Sequence, residues 1–336
     1  MPFDLLTLLL SASLVPTLAV VAPGGKPSPL AHTYSIVARD SVTGEMGVAV
    51  QSHYFSVGPI VPWAESGVGA VATQSLVLID YGPHGLDLMR KGFTARQALD
   101  SLLAADAHND GRQVAMVDTH GNVATHTGAL CIPDAGDVQG AQFSCQANLM
   151  ANARVWPAMK AAYETAQGDL AERMLIALEA AQTAGGDIRG RQSAAIIVVK
   201  GKASGKPWND VLVNLRVEDH AEPLTELRRL LRLRRAYNFE DAGDNFTTEG
   251  KQAEAAKAYE EAMKLAPDVV ELQFWAAVTM YQNNRKADAL KLFKQVFARE
   301  SRWVPLIERL SRVGLFPADH KAVAEVQAQA TSGAGW

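Results

Sequence analysis

The side chain with the most distinctive chemical opportunity is Thr33. It opens the first run that reads as a β-strand, Thr33-Tyr34-Ser35-Ile36-Val37-Ala38, and it follows a segment of the kind that export removes. A threonine freed at its amino end can act as a nucleophile, because its own α-amine, with a pKa of about 8, takes the hydroxyl proton without a histidine. That chemistry needs a cut directly before Thr33. Signal cleavage after Ala31 would leave His32 in front of it, so a second trimming step or a different cut is required. Position alone favours an ordinary strand-starting threonine. Other routes lack their signatures: the chain has no G-x-S-x-G, no G-x-x-x-x-G-K-[ST], no G-x-G-x-x-G and no H-E-x-x-H.

The elements that must hold such a site are partly readable. Met46 to Gln51 follows the Thr33 strand across Asp40-Ser41-Val42-Thr43-Gly44-Glu45, whose Asp and Gly content predicts a hairpin loop. Further strands are expected at Gly69 to Gln74, Val114 to Val117, Val123 to His126, Ser193 to Lys200 and Val211 to Val217. Helical spacing predicts helices from Thr94 to Ala105, Trp156 to Ala166 and Leu170 to Ala184, with Thr94 and Asp169 as N-caps. Strand-rich blocks with helices between them predict a layered α+β domain.

From Pro223 the texture changes. Leu224, Leu227, Leu230 and Leu231 recur at helical spacing among Arg228, Arg229, Arg232, Arg234 and Arg235, a pattern read as a solvated helix face before an anion site. Farther on, Lys251 to Tyr259 lies over Arg285 to Phe293 at an offset of 34 residues, the length of a tetratricopeptide repeat. Gly243, Phe246, Gly250, Ala255, Tyr259, Ala262 and Pro267 suit the first copy, while the second has Asn284 in place of the turn glycine. Two repeats do not stand alone, so they are expected to dock on the first domain, on a degenerate helix pair from Val304 onward, or on another copy of the chain.

Bulk properties set the frame. The 336 residues are 48% hydrophobic and 20% charged, enough for two cores, and a net charge of -4 favours neither nucleic acid nor an anionic membrane as partner. Leu5 to Ala22 reads as a secretory signal although Asp4 replaces the usual positive flank, so an exported chain is expected, with an uncleaved anchor as the alternative. No second apolar run is long enough to span a bilayer, so the mature protein is expected to have no membrane span. Cys131 and Cys145 could close a disulfide contributing about 3 kcal/mol or remain buried thiols, and the sequence leaves both open. No metal-ligand spacing surrounds them.

Taken in order, His32 to Asp40, Thr43 to Ser52, Val61-Pro62-Trp63-Ala64, Gly67 to Gln74, Tyr81 to Leu86, Arg112-Gln113, His126-Thr127-Gly128, Cys131, Gly185 to Ala195 and Leu215 to His220 resemble the DUF1028 family. The resemblance covers about Thr33 to Leu231. That family is assigned to the Ntn-hydrolase superfamily, so the resemblance implies a four-layer αββα sandwich and amide hydrolysis by an N-terminal nucleophile, with no cofactor. It also implies a role for Thr33, since shorter relatives begin with Met directly before such a threonine. Asn148 matches a Gln-Gly-Asn stretch of the family and could stabilise an oxyanion, although Ala147 replaces the glycine.

Asp40, Ser52, His53 and Gln74 fall at strand ends, where they could orient the amine or hold substrate, or simply serve turns and edges. His126 reads as a satisfied core histidine before a base. Arg189, Arg191 and Gln192, after a Gly-Gly-Asp loop, could clamp a carboxylate or tether the loop. The expected organisation is a leader over 1–31, an Ntn-hydrolase-like domain over 32–231 and tetratricopeptide-like repeats over 232–336. The leading expectation is a hydrolase of small-molecule or peptide amides, with the repeats binding a protein partner or a second copy. Its rivals are a catalytically silent Ntn-fold module that recruits partners and a purely structural subunit.

Overall fold

The computed structural model describes residues 30–333, so the expected export signal lies outside the described residues. Eleven strands are described: β1 (Leu30–Ala31), β2 (Thr33–Arg39), β3 (Met46–Ser52), β4 (Pro62–Glu65), β5 (Gly69–Leu76), β6 (Arg112–Asp118), β7 (Val123–Thr127), β8 (Gly136–Gly140), β9 (Phe143–Ala147), β10 (Ser193–Val199) and β11 (Val211–Val217). They form two antiparallel sheets. One runs β11-β10-β3-β2-β9-β8; the other runs β1-β5-β6-β7, with β4 also paired to β5.

The expected β2–β3 hairpin is present. Asp40 Oδ1 accepts from the backbone N–H groups of Val42 and Thr43, both at 2.8 Å, and Gly44 supplies the left-handed turn conformation at φ +74°. Alternation along β2 sends Tyr34, Ile36 and Ala38 to one side and Val37 to the other. Val37 joins Val48, Ala70, Ala72, Ala115 and Val117 in an apolar layer between the sheets, and Thr33 and Ser35 share its side of the strand.

Helices cover both outer faces. α1 (Tyr81–Arg90) and α2 (Ala95–Ala105) bury Tyr81, Leu86, Met89 and Leu99 against Val71, Val114 and Met116. Thr94 caps α2 in a reciprocal capping box with Gln97. On the other sheet, α3 (Val155–Thr165) and α4 (Leu170–Thr183), the latter capped by Asp169, pack over Tyr34, Ile36 and Phe143. Both cysteines are buried free thiols: Cys145 faces α3 and α4, whereas Cys131 Sγ lies 3.4 Å from the Arg112 carbonyl of the other sheet.

α5 (Pro223–Thr248) is continuous through positions 231 and 232, so the expected domain boundary falls inside one helix. Leu224, Leu227 and Leu231 join the sheet-covering core, while Ala236 packs with α6 (Gln252–Leu265). The arginines of α5 are mostly clamps: Arg228 bonds Glu172 and Glu179, Arg235 bonds Asp169 and Glu172, and Arg232 bonds Asp268. Exposed pairs of this kind each contribute under about 1 kcal/mol; those of Arg228 and Arg235 tie α5 to α4, and that of Arg232 ties it to the turn between α6 and α7.

A second pair, α7 (Val270–Gln282) and α8 (Lys286–Arg299), follows. Phe293 of α8 is buried like Tyr259 of α6, which matches the 34-residue self-similarity. α9 (Leu306–Arg312) and α10 (His320–Gln327) close the stack by packing Ile307, Leu310, Val323 and Val326 on α7 and α8. The repeats are therefore supported at both ends, by the N-terminal half of α5 packed in the sheet-covering core and by this last pair. Among the described residues no helix is long and apolar enough to cross a membrane.

One buried acid sets a pH dependence for the helical region. Glu240 of α5 is pushed up to about 7 by burial, with Glu271, Asp244 and Asp241 adding repulsion. The folded protein holds this proton more tightly than the unfolded chain, so the stabilising contribution is full below the ordinary value of 4.5 and is lost as pH rises through 7. Glu240→Gln is expected to stabilise the helices at pH 8 by about 1–2 kcal/mol, with little effect at pH 4.5, as read by thermal unfolding at the two pH values.

Candidate functional site

Thr33 begins β2 at one end of the intersheet layer, where the register aligns it with Ser52 of β3 and, one strand farther, Ser193 of β10. It is fully buried. Its hydroxyl donates to the Ala31 carbonyl at 2.8 Å. Its own carbonyl accepts from Gln74 Nε2 at 3.2 Å and from the Asn148 backbone N–H at 3.1 Å, so donors from both sheets fix the residue.

The peptide bond directly before Thr33 is held by two side-chain donors. The His32 carbonyl oxygen accepts from Ser52 Oγ at 2.6 Å and from Arg189 Nη2 at 2.7 Å. Arg189 is aimed by Asp187, which takes its Nε at 3.0 Å, its Nη2 at 2.7 Å and its backbone N–H at 2.9 Å. Asp187 also accepts from the His53 backbone N–H at 3.1 Å. A hydroxyl and a guanidinium on one carbonyl oxygen draw charge toward it and stabilise negative charge developing there. The next residue carries the Thr33 hydroxyl.

The His32 ring is held just as firmly. Gln113 Nε2 donates to the Ala147 carbonyl at 2.9 Å and to the Gly136 carbonyl at 3.3 Å, which leaves Gln113 Oε1 to accept from Asn148 Nδ2 at 2.9 Å. Asn148 Oδ1 then faces His32 Nδ1 at 2.8 Å, so the network assigns the proton to Nδ1 of a neutral ring. Burial holds the His32 pKa below its ordinary 6.5, and Arg189 lowers it further against the opposing Asn148 bond. The undocked segment binds the proton more readily, so docking is fully stabilised above 6.5 and weakens as pH falls below that value. In an uncleavable chain, limited proteolysis around His32 is expected to accelerate between pH 7 and pH 5; a flat profile would contradict this linkage.

Asn148, expected as an oxyanion donor, has its side-chain amide on His32 and Gln113, and the donors on the His32 carbonyl are Ser52 and Arg189. Asp40 does not reach the site: it sits beyond Arg39, at the opposite end of β2, turning the hairpin and pairing with Arg173. Gln192 donates its backbone N–H to Ser52 O at 3.1 Å, but its side chain turns to Asp219, and Arg191 pairs with Glu222. His53 lies beside the site through Asp187, with Nδ1 buried and unpartnered. His126 tethers a loop through the Asn109 carbonyl at 2.9 Å.

Roles that sequence reasoning did not assign belong to His32, Asp187, Gln113, Gln146 and Ser35. Ser35 Oγ donates to Gln74 Oε1 and accepts from Gln146 Nε2, both at 2.6 Å, while Gln74 Nε2 donates to Gln113 Oε1 at 2.7 Å. The signal was a glutamine within each of β5, β6 and β9, at positions apolar patterning would leave to valine. Among the described residues no group of three or more His, Cys, Asp or Glu side chains is placed to hold a metal ion.

Comparison with known proteins adds a family to this geometry. A model described as a family of unknown function, DUF1028, matches residues 33–227, and a tetratricopeptide repeat model matches residues 246–329. The crystal structure of a DUF1028 protein from Silicibacter pomeroyi is similar over 60% of this chain and 88% of its own, with 28% identity and a TM-score of 0.54. No curated protein matches the chain.

Proposed function

Because the chain belongs to the DUF1028 family, whose function is unknown, we propose its reaction from the geometry around one peptide bond: it is an N-terminal-nucleophile amidase that frees its own Thr33. The observation that carries this reading is the His32 carbonyl held between Ser52 Oγ and Arg189 Nη2. The stacking of helices, sheet, sheet and helices supports it as the order an Ntn-hydrolase-like sandwich requires. The family match that starts at Thr33 supports it as well.

In the self-processing step the Thr33 hydroxyl leaves its bond to Ala31 O and attacks the His32 carbonyl carbon. Ser52 and Arg189 hold the oxyanion. The carbon–nitrogen bond breaks, the hydroxyl proton ends on the departing Thr33 nitrogen, and the acyl group rests on Oγ1 as an ester. Water hydrolyses that ester, releasing a His32 carboxylate and restoring the hydroxyl beside a free α-amine. In later turnovers that amine is the base, and a substrate carbonyl takes the place the His32 carbonyl holds now. The second trimming step that His32 demands is then the protein's own.

The tetratricopeptide match suggests protein interaction, and in this reading the repeats bring the hydrolase to a partner or to a second copy. A catalytically silent module recruited through the same repeats is the second reading. Export belongs to the proposal on the strength of the apolar run Leu5 to Ala22; mature protein confined to the cytosol of its native host would remove it. The reaction is tested by a chain made to begin at Thr33, which should release amine from N-acyl amino acid and peptide amides. Selective acylation of the α-amine should abolish that release, and unchanged turnover by the acylated form would contradict the mechanism.

A further inference from the structure

The three residues ahead of Thr33 are seated unlike a tether waiting to be discarded. Leu30 and Ala31 form β1, which adds antiparallel to β5 opposite Leu76 and Ser75. The same edge of β5 is covered by β4 only from Gly69 to Ala72, so β1 fills a notch that would open when it leaves. Ser75, opposite Ala31, holds φ +73°, a conformation costly for a non-glycine residue and kept where surrounding structure enforces it.

Each position has its own surroundings. Leu30 is 54% exposed, Ala31 is 0% exposed among Val57, Val61 and Val77, and His32 is 3% exposed with its ring on Asn148. Resting on the reading that Thr33 is the nucleophile, we propose that β1 and His32 mark the acyl-side subsites, and that the processed protein hydrolyses peptides that add to β5 as a short strand. The position next to the scissile bond takes a neutral donor-bearing side chain and the one before it takes alanine or smaller.

The reasons are local. A larger side chain at the Ala31 position would overpack a filled apolar layer. A carboxylate at the His32 position would meet Asn148 Oδ1, and an ammonium would be desolvated at a position that is 3% exposed and where the nearby Arg189 charge already disfavours a cation. Main-chain pairing with β5 supplies affinity and the two pockets supply selectivity, the usual division of labour in strand addition. The peptide's acyl group passes to Thr33 Oγ1, its amine leaves with a proton, and water then releases the carboxylate.

The test uses residues 33–336 with a free amino end confirmed by mass, and the 7-amino-4-methylcoumarin amides of acetyl-Leu-Ala-His, acetyl-Leu-Leu-His, acetyl-Leu-Ala-Asp and acetyl-Leu-Ala-Lys. The first should exceed each of the others by about tenfold or more in kcat/KM. Values within about twofold of one another, or a preference for Leu-Leu-His, would overturn the subsites while leaving the Thr33 chemistry standing. Calorimetric titration with the product acetyl-Leu-Ala-His separates the two ideas further. Binding that weakens at least tenfold for acetyl-Leu-Leu-His supports the subsites even where no probe is turned over, a combination that counts against the hydrolase. Absence of binding overturns the subsites.

Discussion

A Thr33→Ala chain is expected to keep the peptide bond that follows His32 indefinitely and to lose amide turnover by about 10⁴-fold or more, the scale seen when a covalent nucleophile is removed. The fold should survive. Thr33 Oγ1 donates one hydrogen bond, to Ala31 O at 2.8 Å, and removing such a bond costs about 1 kcal/mol. The rest of the residue's support comes through its backbone, from Gln74 and Asn148, and alanine keeps it. Thr33→Ser should process at a rate within about tenfold of the parent, since the hydroxyl remains and only a methyl that restricts its rotamer is lost. Mass spectrometry over time reads both results; processing by Thr33→Ala at the parental rate would assign cleavage to another agent.

Ser52→Ala should slow processing by about 10²–10³-fold, equivalent to roughly 3–4 kcal/mol of lost oxyanion stabilisation. Arg189→Met should do at least as much, but it also strips the buried Asp187 of its cation, which destabilises by several kcal/mol in comparable settings. Ser52 is therefore the cleaner probe: its hydroxyl bonds the His32 carbonyl, and its backbone keeps β3 in register with β2 and β10. Arg189→Lys should not rescue the rate, because an ammonium cannot make the two-pronged pair with Asp187 that aims the guanidinium. Unfolding midpoints measured alongside the rates separate a lost donor from a damaged fold.

What the sequence disclosed followed the range of its signals. The β2–β3 hairpin, β6 and β10 were legible because alternation or a short apolar run is local, and α2 and α4 because Thr94 and Asp169 announce them as caps. α1 carried no helical signal, since Gly82, Pro83 and Gly85 are poor helix formers. Gly82 is there for packing: a Cβ would come within 2.4 Å of the Trp63 ring. β8 and β9 were hidden because Gly136 to Ala147 is short, polar and glycine-bearing, and its place is set by distant β2.

The site divides the same way. Thr33, Ser52, Gln74 and Arg189 could be suspected from where they stand, but Arg189 meets His32 across 157 residues of chain, and no spacing rule encodes that meeting. His32 read as an obstacle to an N-terminal threonine, yet its carbonyl is the group that the surrounding donors grip. Asn148 was noticed for its likeness to a family stretch and was expected on the oxyanion, whereas its amide holds the His32 ring. Hydrogen-bond direction depends on neighbours such as Gln113, which the sequence marks only as a polar residue in a buried strand.

The most direct measurement is the intact mass of the full-length chain, purified and followed with time at two concentrations tenfold apart. Self-processing predicts a species of residues 33–336 beginning at Thr33, appearing at a rate independent of concentration. A His32–Thr33 bond that stays whole under these conditions and in protein taken from the native host would contradict the account.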